Sequence, residues 1–173
     1  NRIDSGNVMA AAHITTIRIE SLSYLPGLAF GIAAAALTGQ ALGARDPARA
    51  VKNVYTAYAL GGAMMTLMGV LFISFPYAIT GLMSDNPAIV HLSALCLRIT
   101  GFCQVAFAAN LVFGGALRGA GDTLVTMVLN LSSILFVRFA GVLVVTLYFR
   151  QGLRAIWMVL AGEVILRGVL IVG

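Results

Sequence analysis

Two stretches of this chain, residues 21–44 and 53–84, carry no charged side chain. Each is longer than the ~20 residues an α-helix needs to cross the hydrocarbon of a bilayer. Composition points the same way: 60% of the 173 residues are hydrophobic and 10% charged, where soluble domains hold ~45–50% and ~25%. A soluble core is excluded. Lengths, charge gaps and breakers predict an all-α, polytopic membrane bundle of about five transmembrane helices, at about 8–44, 48–77, 87–114, 123–149 and 154–173. The first is too long for one straight crossing. A bend is therefore expected at Pro26-Gly27, with an outer turn carrying Arg18 and Glu20 that rises above the hydrocarbon.

Inside that first span Gly27, Gly31, Ala35, Gly39 and Gly43 recur every fourth position, so they share one slowly drifting stripe. Helices in lipid gain little by burying apolar side chains against each other. Small residues that admit a second backbone are a main means of association. Gly27, Gly31, Gly39 and Gly43 are thus expected at a helix–helix contact. The span ends in Gly-Ala-Arg-Asp-Pro, where Asp46 can cap the next helix and Pro47 can open it.

The formal charge is +5, but the basic residues are scattered rather than gathered with aromatics on one face, which gives no support to a nucleic-acid partner. Loop 44–52 holds Arg45, Arg49 and Lys52 and loop 114–122 holds Arg118, while 81–87 has no Lys or Arg. This asymmetry puts the first two loops on the cytoplasmic side, with Arg150 and Arg154 on the outer side counting against it. Tyr55, Tyr58, Phe75, Tyr77, Tyr148, Phe149 and Trp157 lie near span ends, as expected of interfacial belts. Cys96 and Cys103 are seven apart in one span, ~10 Å along a helix and beyond disulfide reach. The chain opens at Asn1 rather than Met, and five spans leave an outer amino terminus that needs an earlier span or export signal. Such features are expected of the later part of a longer membrane protein.

The two basic loops resemble each other, Ala41-Leu-Gly-Ala-Arg-Asp46 and Ala116-Leu-Arg-Gly-Ala-Gly-Asp122. Together with Ala11-Ala-His13, Arg18-Ile-Glu-Ser21, Leu25-Pro-Gly27, Gly39-Gln-Ala-Leu-Gly43 and Gly115-Ala-Leu-Arg-Gly-Ala-Gly-Asp-Thr123, in that order, they resemble the multidrug and toxic compound extrusion (MATE) transporter family. The resemblance implies a partial carboxy-terminal lobe over residues 1–173, family helices eight to twelve of a twelve-helix, two-lobed transporter. It further implies a secondary active antiporter that exports organic, often cationic, compounds in exchange for H⁺ or Na⁺ by alternating access. Such a protein needs no cofactor. Its partners would be the missing amino-terminal lobe, membrane lipid and small organic substrates, in a bacterial inner membrane. A flippase for lipid-linked oligosaccharides, of the same superfamily, and a structural membrane subunit are the alternatives. The family's Arg-x-Pro pattern reads Arg138-Phe139-Ala140 here, without the proline, and residues 87–114 lack the acid that some members carry in that helix.

Ionisable groups inside spans are costly and mark cavities or partners. Glu163 is ten residues after Leu153 and Arg138 ten before Tyr148, so antiparallel neighbours bring them level. Arg167, at i+4, competes for the same carboxylate. The pair is either a structural staple or part of the transport path. Glu20 shares a helical face with His13, Thr16, Tyr24 and Gly27. It either exchanges a proton or Na⁺ or serves as a paired interfacial residue. Glu20 and Glu163 are thus the ion-coupling candidates. Gln104, Asn110 and Asn130 either line a cavity or bridge helices, and Met64, Met65 and Met68 form either a polarizable substrate patch or packing. His13, Gln104, Asn110, Asn130, Arg138, Met64 and Met68 are accordingly the cavity candidates. No nucleophile–base pair stands out; His13 and His91 lie on different spans without metal-ligand spacing, and the glycine loops lack a Walker lysine. Catalysis, a metal site and bound ATP are not expected.

Overall fold

The computed structural model describes residues 2–147 and 153–172. Among them every regular element is helical: α1 (Arg2–Gly43), α2 (Pro47–Ser74), α3 (Pro76–Gly81), α4 (Pro87–Gly119), α5 (Thr123–Ser132), a π segment (Ser133–Phe139), α6 (Ala140–Leu147) and α7 (Leu153–Val172). They make five stretches long and apolar enough to cross a membrane, with α5, the π segment and α6 joined in one. Tyr148, Phe149 and Arg150 lie outside the described residues.

Three of the helix starts, those of α2, α4 and α5, are capped by a side chain. Asp46 Oδ1 accepts from Arg49 N at 2.9 Å, Asn86 Oδ1 from Ala88 N at 3.0 Å and Asp122 Oδ1 from Val125 N at 3.2 Å. Pro47 and Pro87 occupy first positions, where a missing N–H goes unnoticed. The turns after α1 and α4 are the same structure. Arg45 N bonds Leu42 O and Asp46 N bonds Ala41 O; Gly121 N bonds Arg118 O and Asp122 N bonds Leu117 O. Each closes its helix with one left-handed residue, Arg45 at φ 58° in the first and Gly121 at φ 88° in the second.

α4 is the hub, packed against α1, α2 and α7. In its most apolar stretch 56% of the residues are buried, against 6% in Thr123–Leu147, which therefore stands at the periphery. α1 and α4 run parallel: Ser93 Oγ donates to Ala12 O at 3.2 Å and Gln104 Nε2 to Ser23 Oγ at 3.1 Å, both across 81 residues. The Arg45 and Gly121 turns consequently lie at the same end of the bundle. α7 runs parallel to α4, from Leu153 and Trp157 beside Cys96 to Ile171 beside Gly114, and Asn110 Nδ2 ties them by donating to Val164 O at 2.9 Å.

Glycine sets these crossings. A Cβ on Gly31 would meet Leu111 O at 2.7 Å, one on Gly115 would overlap the Gly31 carbonyl, and one on Gly119 the Ala35 carbonyl. A Cβ on Gly39 would lie 3.1 Å from Gly119 O, and one on Gly27 would run into Met65 and Leu111. The small-residue stripe of α1 thus meets the Leu111 carbonyl, Gly115 and Gly119 of α4, so that two backbones touch. α2 crosses α4 at Gly69 and Gly101, and α7 crosses it at Gly168 beside Ala106. Gly43 corrects the expected stripe: nothing lies within 4 Å of its Cβ direction, because α1 ends there and has passed α4.

Three other boundaries differ from expectation. α1 begins at Arg2 rather than near 8, and it carries Pro26 inside one continuous 42-residue helix. The second span stops at Ser74 rather than 77, because Pro76 restricts Phe75, which sits at φ −125°, ψ 41° outside the helical region. α4 continues to Gly119 rather than ending near 114. Gly114 and Gly115 look like terminators in sequence but are buried contact residues, and Arg118 belongs to the last helical turn.

Candidate functional site

Toward the end opposite the two turns, α1, α4, α7 and the π segment enclose a cavity of about 540 Å³. α1 contributes His13, Ile17, Glu20, Ser21 and Tyr24, mostly at the three- and four-residue steps that keep one helical face turned inward. α4 brings Thr100, Cys103, Gln104 and Phe107 by the same spacing, and α7 brings Trp157, Leu160, Ala161, Val164 and Arg167. Arg138 enters from the π segment. The walls are aromatic and apolar: the His13 ring stands edge-on to Trp157 at 5.5 Å, and Tyr24 tilts against Phe107 at 5.7 Å.

Polar chemistry concentrates on one side. Glu163, fully buried behind the wall, accepts from Ser133 Oγ at Oε1 and from Arg138 Nη2 at Oε2 at 2.7 Å. Arg167 Nε stands 3.6 Å from Oε1, and Arg167 Nη1 donates to Asn130 Oδ1 at 2.8 Å. The π segment explains how Ser133 and Arg138 reach one carboxylate. Residues five apart point ~140° away from each other round an α-helix, whereas i→i+5 turns carry them toward a common face. Arg138 remains 39% exposed in its side chain, so it both grips Glu163 and faces the cavity.

Glu20 differs from Glu163 in every respect. Half-buried on α1, its carboxylate has no hydrogen bond and no cation within 4 Å among the described residues. Its backbone is held: Ser23 Oγ donates to Glu20 O at 2.8 Å, and Gln104 Nε2 donates to that same Ser23 hydroxyl. Five cavity-lining residues keep a buried polar atom without a hydrogen-bond partner among the described residues, namely His13 Nδ1, Gln104 Oε1, Arg138 Nε, Trp157 Nε1 and Arg167 Nε. No group of three potential metal ligands occurs among the described residues.

His13, Glu20, Gln104 and Arg138 of the sequence-derived candidates line the cavity, with Glu163 behind it. Four candidates do not. Asn110 Nδ2 donates to Ala106 O and Val164 O, and Asn130 holds Arg167, so both act between helices rather than on a ligand. Met64 is exposed and Met68 half-buried on α2, a helix that contributes nothing to this cavity; Met65 is in the core against Gly27. Thr16 points away and donates to Ala12 O. Trp157, placed by sequence in an interfacial belt, is 4% exposed and forms a cavity wall. Sequence reasoning missed Phe107, Leu160 and Val164, although they share helical faces with Gln104 and Trp157. Arg98, level with Arg138 by residue count, instead lies over the Tyr77 ring at 5.6 Å, outside the cavity.

The MatE family profile matches residues 2–144. The chain belongs to that family. It is 28% identical over 92% of its length to a Thermotoga maritima protein named probable multidrug resistance protein NorM. It is 33% identical over 90% of its length to a Brucella suis protein of the same name, and 37% identical over 70% to the multidrug resistance protein NorM of Burkholderia vietnamiensis. The chain spans about a third of the length of these relatives, 34%, 34% and 28% respectively. Five membrane-length helices and this membership make it an integral membrane protein.

Proposed function

We propose that this chain is one lobe of a bacterial inner-membrane multidrug antiporter, which exports organic cations in exchange for H⁺ or Na⁺ by alternating access. The carboxylate of Glu20 carries the reading. A charge inside a span is costly without a partner, yet Glu20 stands unpaired on a cavity wall beside aromatic rings. Such a group is suited to hold a cation that comes and goes. Either a small coupling ion or the ammonium of a substrate can neutralise it, and competition between the two is what exchange requires. The aromatic walls favour delocalised or quaternary cations by cation–π attraction. A volume of about 540 Å³ falls in the range of small-molecule sites. The relatives' names, which speak of multidrug resistance, agree with such a cargo.

Their greater length supports a partner lobe that completes the path, since repeat-built transporters commonly rock two halves about a central site. The test is Glu20→Gln in the two-lobed transporter reconstituted in vesicles. Ion-driven efflux of an organic cation should fall at least tenfold with unchanged protein yield. Wild-type efflux with the same pH and Na⁺ dependence would refute the role of Glu20 and move coupling to the other lobe.

A further inference from the structure

Glu163 has more partners than its charge requires. Arg138, Arg167 and Ser133 all converge on it, so Arg138 can leave while the buried carboxylate keeps an arginine and a hydroxyl. Arg138 is also the more exposed of the two arginines, 39% against 13%, and the only cavity residue from the π segment. π turns are frequent at functional sites, because their wider ring can pass back to α geometry and re-aim a side chain. Across the same cavity stands Glu20, the one carboxylate there without a partner. A cavity of about 540 Å³ is about 10 Å across if spherical, less than twice the reach of an extended arginine.

From this juxtaposition we infer that Arg138 is an internal competitor for Glu20: when the cavity holds no cation its guanidinium turns from Glu163 toward the Glu20 carboxylate, and an arriving cation must send it back. The inference rests on the reading of Glu20 as the cation site. Besides Arg138, the titratable or charged groups that line the cavity with Glu20 are His13 and Tyr24 on its own helix α1, Cys103 of α4 and Arg167 of α7. Of these only Arg167 is a second fixed cation, and it is tied down by both Glu163 and Asn130. Arg138 is thus the movable charge, and it sets how tightly Glu20 binds a cation without touching the cation itself.

The signs of three substitutions follow. In R138Q the competitor is gone and Glu163 still has Arg167 and Ser133, so cation affinity should rise about tenfold. In E163Q the anchor is gone, Arg138 is freed toward Glu20, and affinity should fall. In E20Q binding should be lost. Radiolabelled tetraphenylphosphonium, bound to the purified two-lobed transporter and read by scintillation proximity, measures all three. A merely structural role for the pair would weaken binding in both R138Q and E163Q, so opposite signs are the decisive result. If R138Q does not fold, R138Q/E163Q removes the pair together, leaves Arg167 bonded to Asn130, and should show the same tightening. Undiminished binding in E20Q would overturn the Glu20 reading and this inference with it. Lost binding in E20Q, with unchanged or weaker binding in R138Q or the double variant, would overturn the role of Arg138 alone.

Discussion

Gly114 and Gly115 are neighbours on α4 with opposite surroundings, so replacing each by alanine separates backbone packing from helix propensity. A Cβ on Gly114 would stand 3.5 Å from Ile171 Cδ1, an ordinary contact with the movable end of a side chain. On Gly115 it would overlap the Gly31 carbonyl, and α1 cannot rotate that oxygen away without breaking its own helix. The two helices must part by roughly 1 Å to restore a normal C···O separation. Overpacking of this kind costs about 1–3 kcal/mol, and alanine recovers up to ~1 kcal/mol of helix propensity at either position. A rigid carbonyl puts the cost in the upper part of that range, so Gly115→Ala should lose about 1–2 kcal/mol net, while Gly114→Ala should be neutral or gain up to ~1 kcal/mol. Thermal unfolding of the detergent-purified protein, followed by circular dichroism, should show Gly115→Ala melting about 2–8 °C lower and Gly114→Ala unchanged or higher. Equal shifts for the two would refute backbone contact between α1 and α4.

Arg45 holds the left-handed position that Gly121 fills in the equivalent turn, so Arg45→Gly should raise stability by about 1 kcal/mol; a lower melting temperature would mean that its side chain contributes more than the strain costs. Cysteines at Ala48 and Ala120, in the turn-bearing end shared by α1–α2 and α4–α5, should both react with an impermeant thiol reagent from the cytoplasmic face, and one at Ser84 only from the other. Labelling of Ala48 and Ser84 positions from one face would overturn the topology.

What could be read from the sequence followed from the solvent. Hydrocarbon leaves a backbone no choice but helix, so two charge-free runs, with apolar length and breakers for the other three, located the five spans. Capping chemistry is local, and Asp46 does at its helix start what its position suggests. The stripe from Gly27 to Gly39 was legible, but its partner was not, since Leu111, Gly115 and Gly119 look like the end of a helix until α1 lies against them. Counting residues brought Arg138 level with Glu163, yet a 3.6-residue period hides Ser133, which only a π turn moves beside Arg138. Trp157 and the methionines of α2 show the same limit: aromatic or polarizable character says nothing about which face of a span meets a cavity and which meets lipid.

The parallel register of α1 and α4 divides each helix into two halves of different use. From Gly27 to Gly39 their backbones touch, with carbonyls set against glycines, and nothing can slide there without a collision. From Tyr24 back to His13 the same two helices face a cavity, and beside the apolar contacts of Ile19 with Leu97 and Ala12 with Cys96 they are joined by hydrogen bonds, Gln104 to Ser23 at the boundary and Ser93 to Ala12 at the far end. Hydrogen bonds of this kind can exchange partners at little net cost, since each is worth only about 1 kcal/mol, while an interlocked backbone cannot. Movement that alters the cavity is therefore expected to pivot about the glycine crossing. Glu20 lies within one helical turn of the Ser23–Gln104 boundary, and its backbone oxygen is held by Ser23, so the carboxylate moves with that joint. The π segment, in the peripheral span, is tied to α7 through the bonds of Ser133 and Arg138 to Glu163.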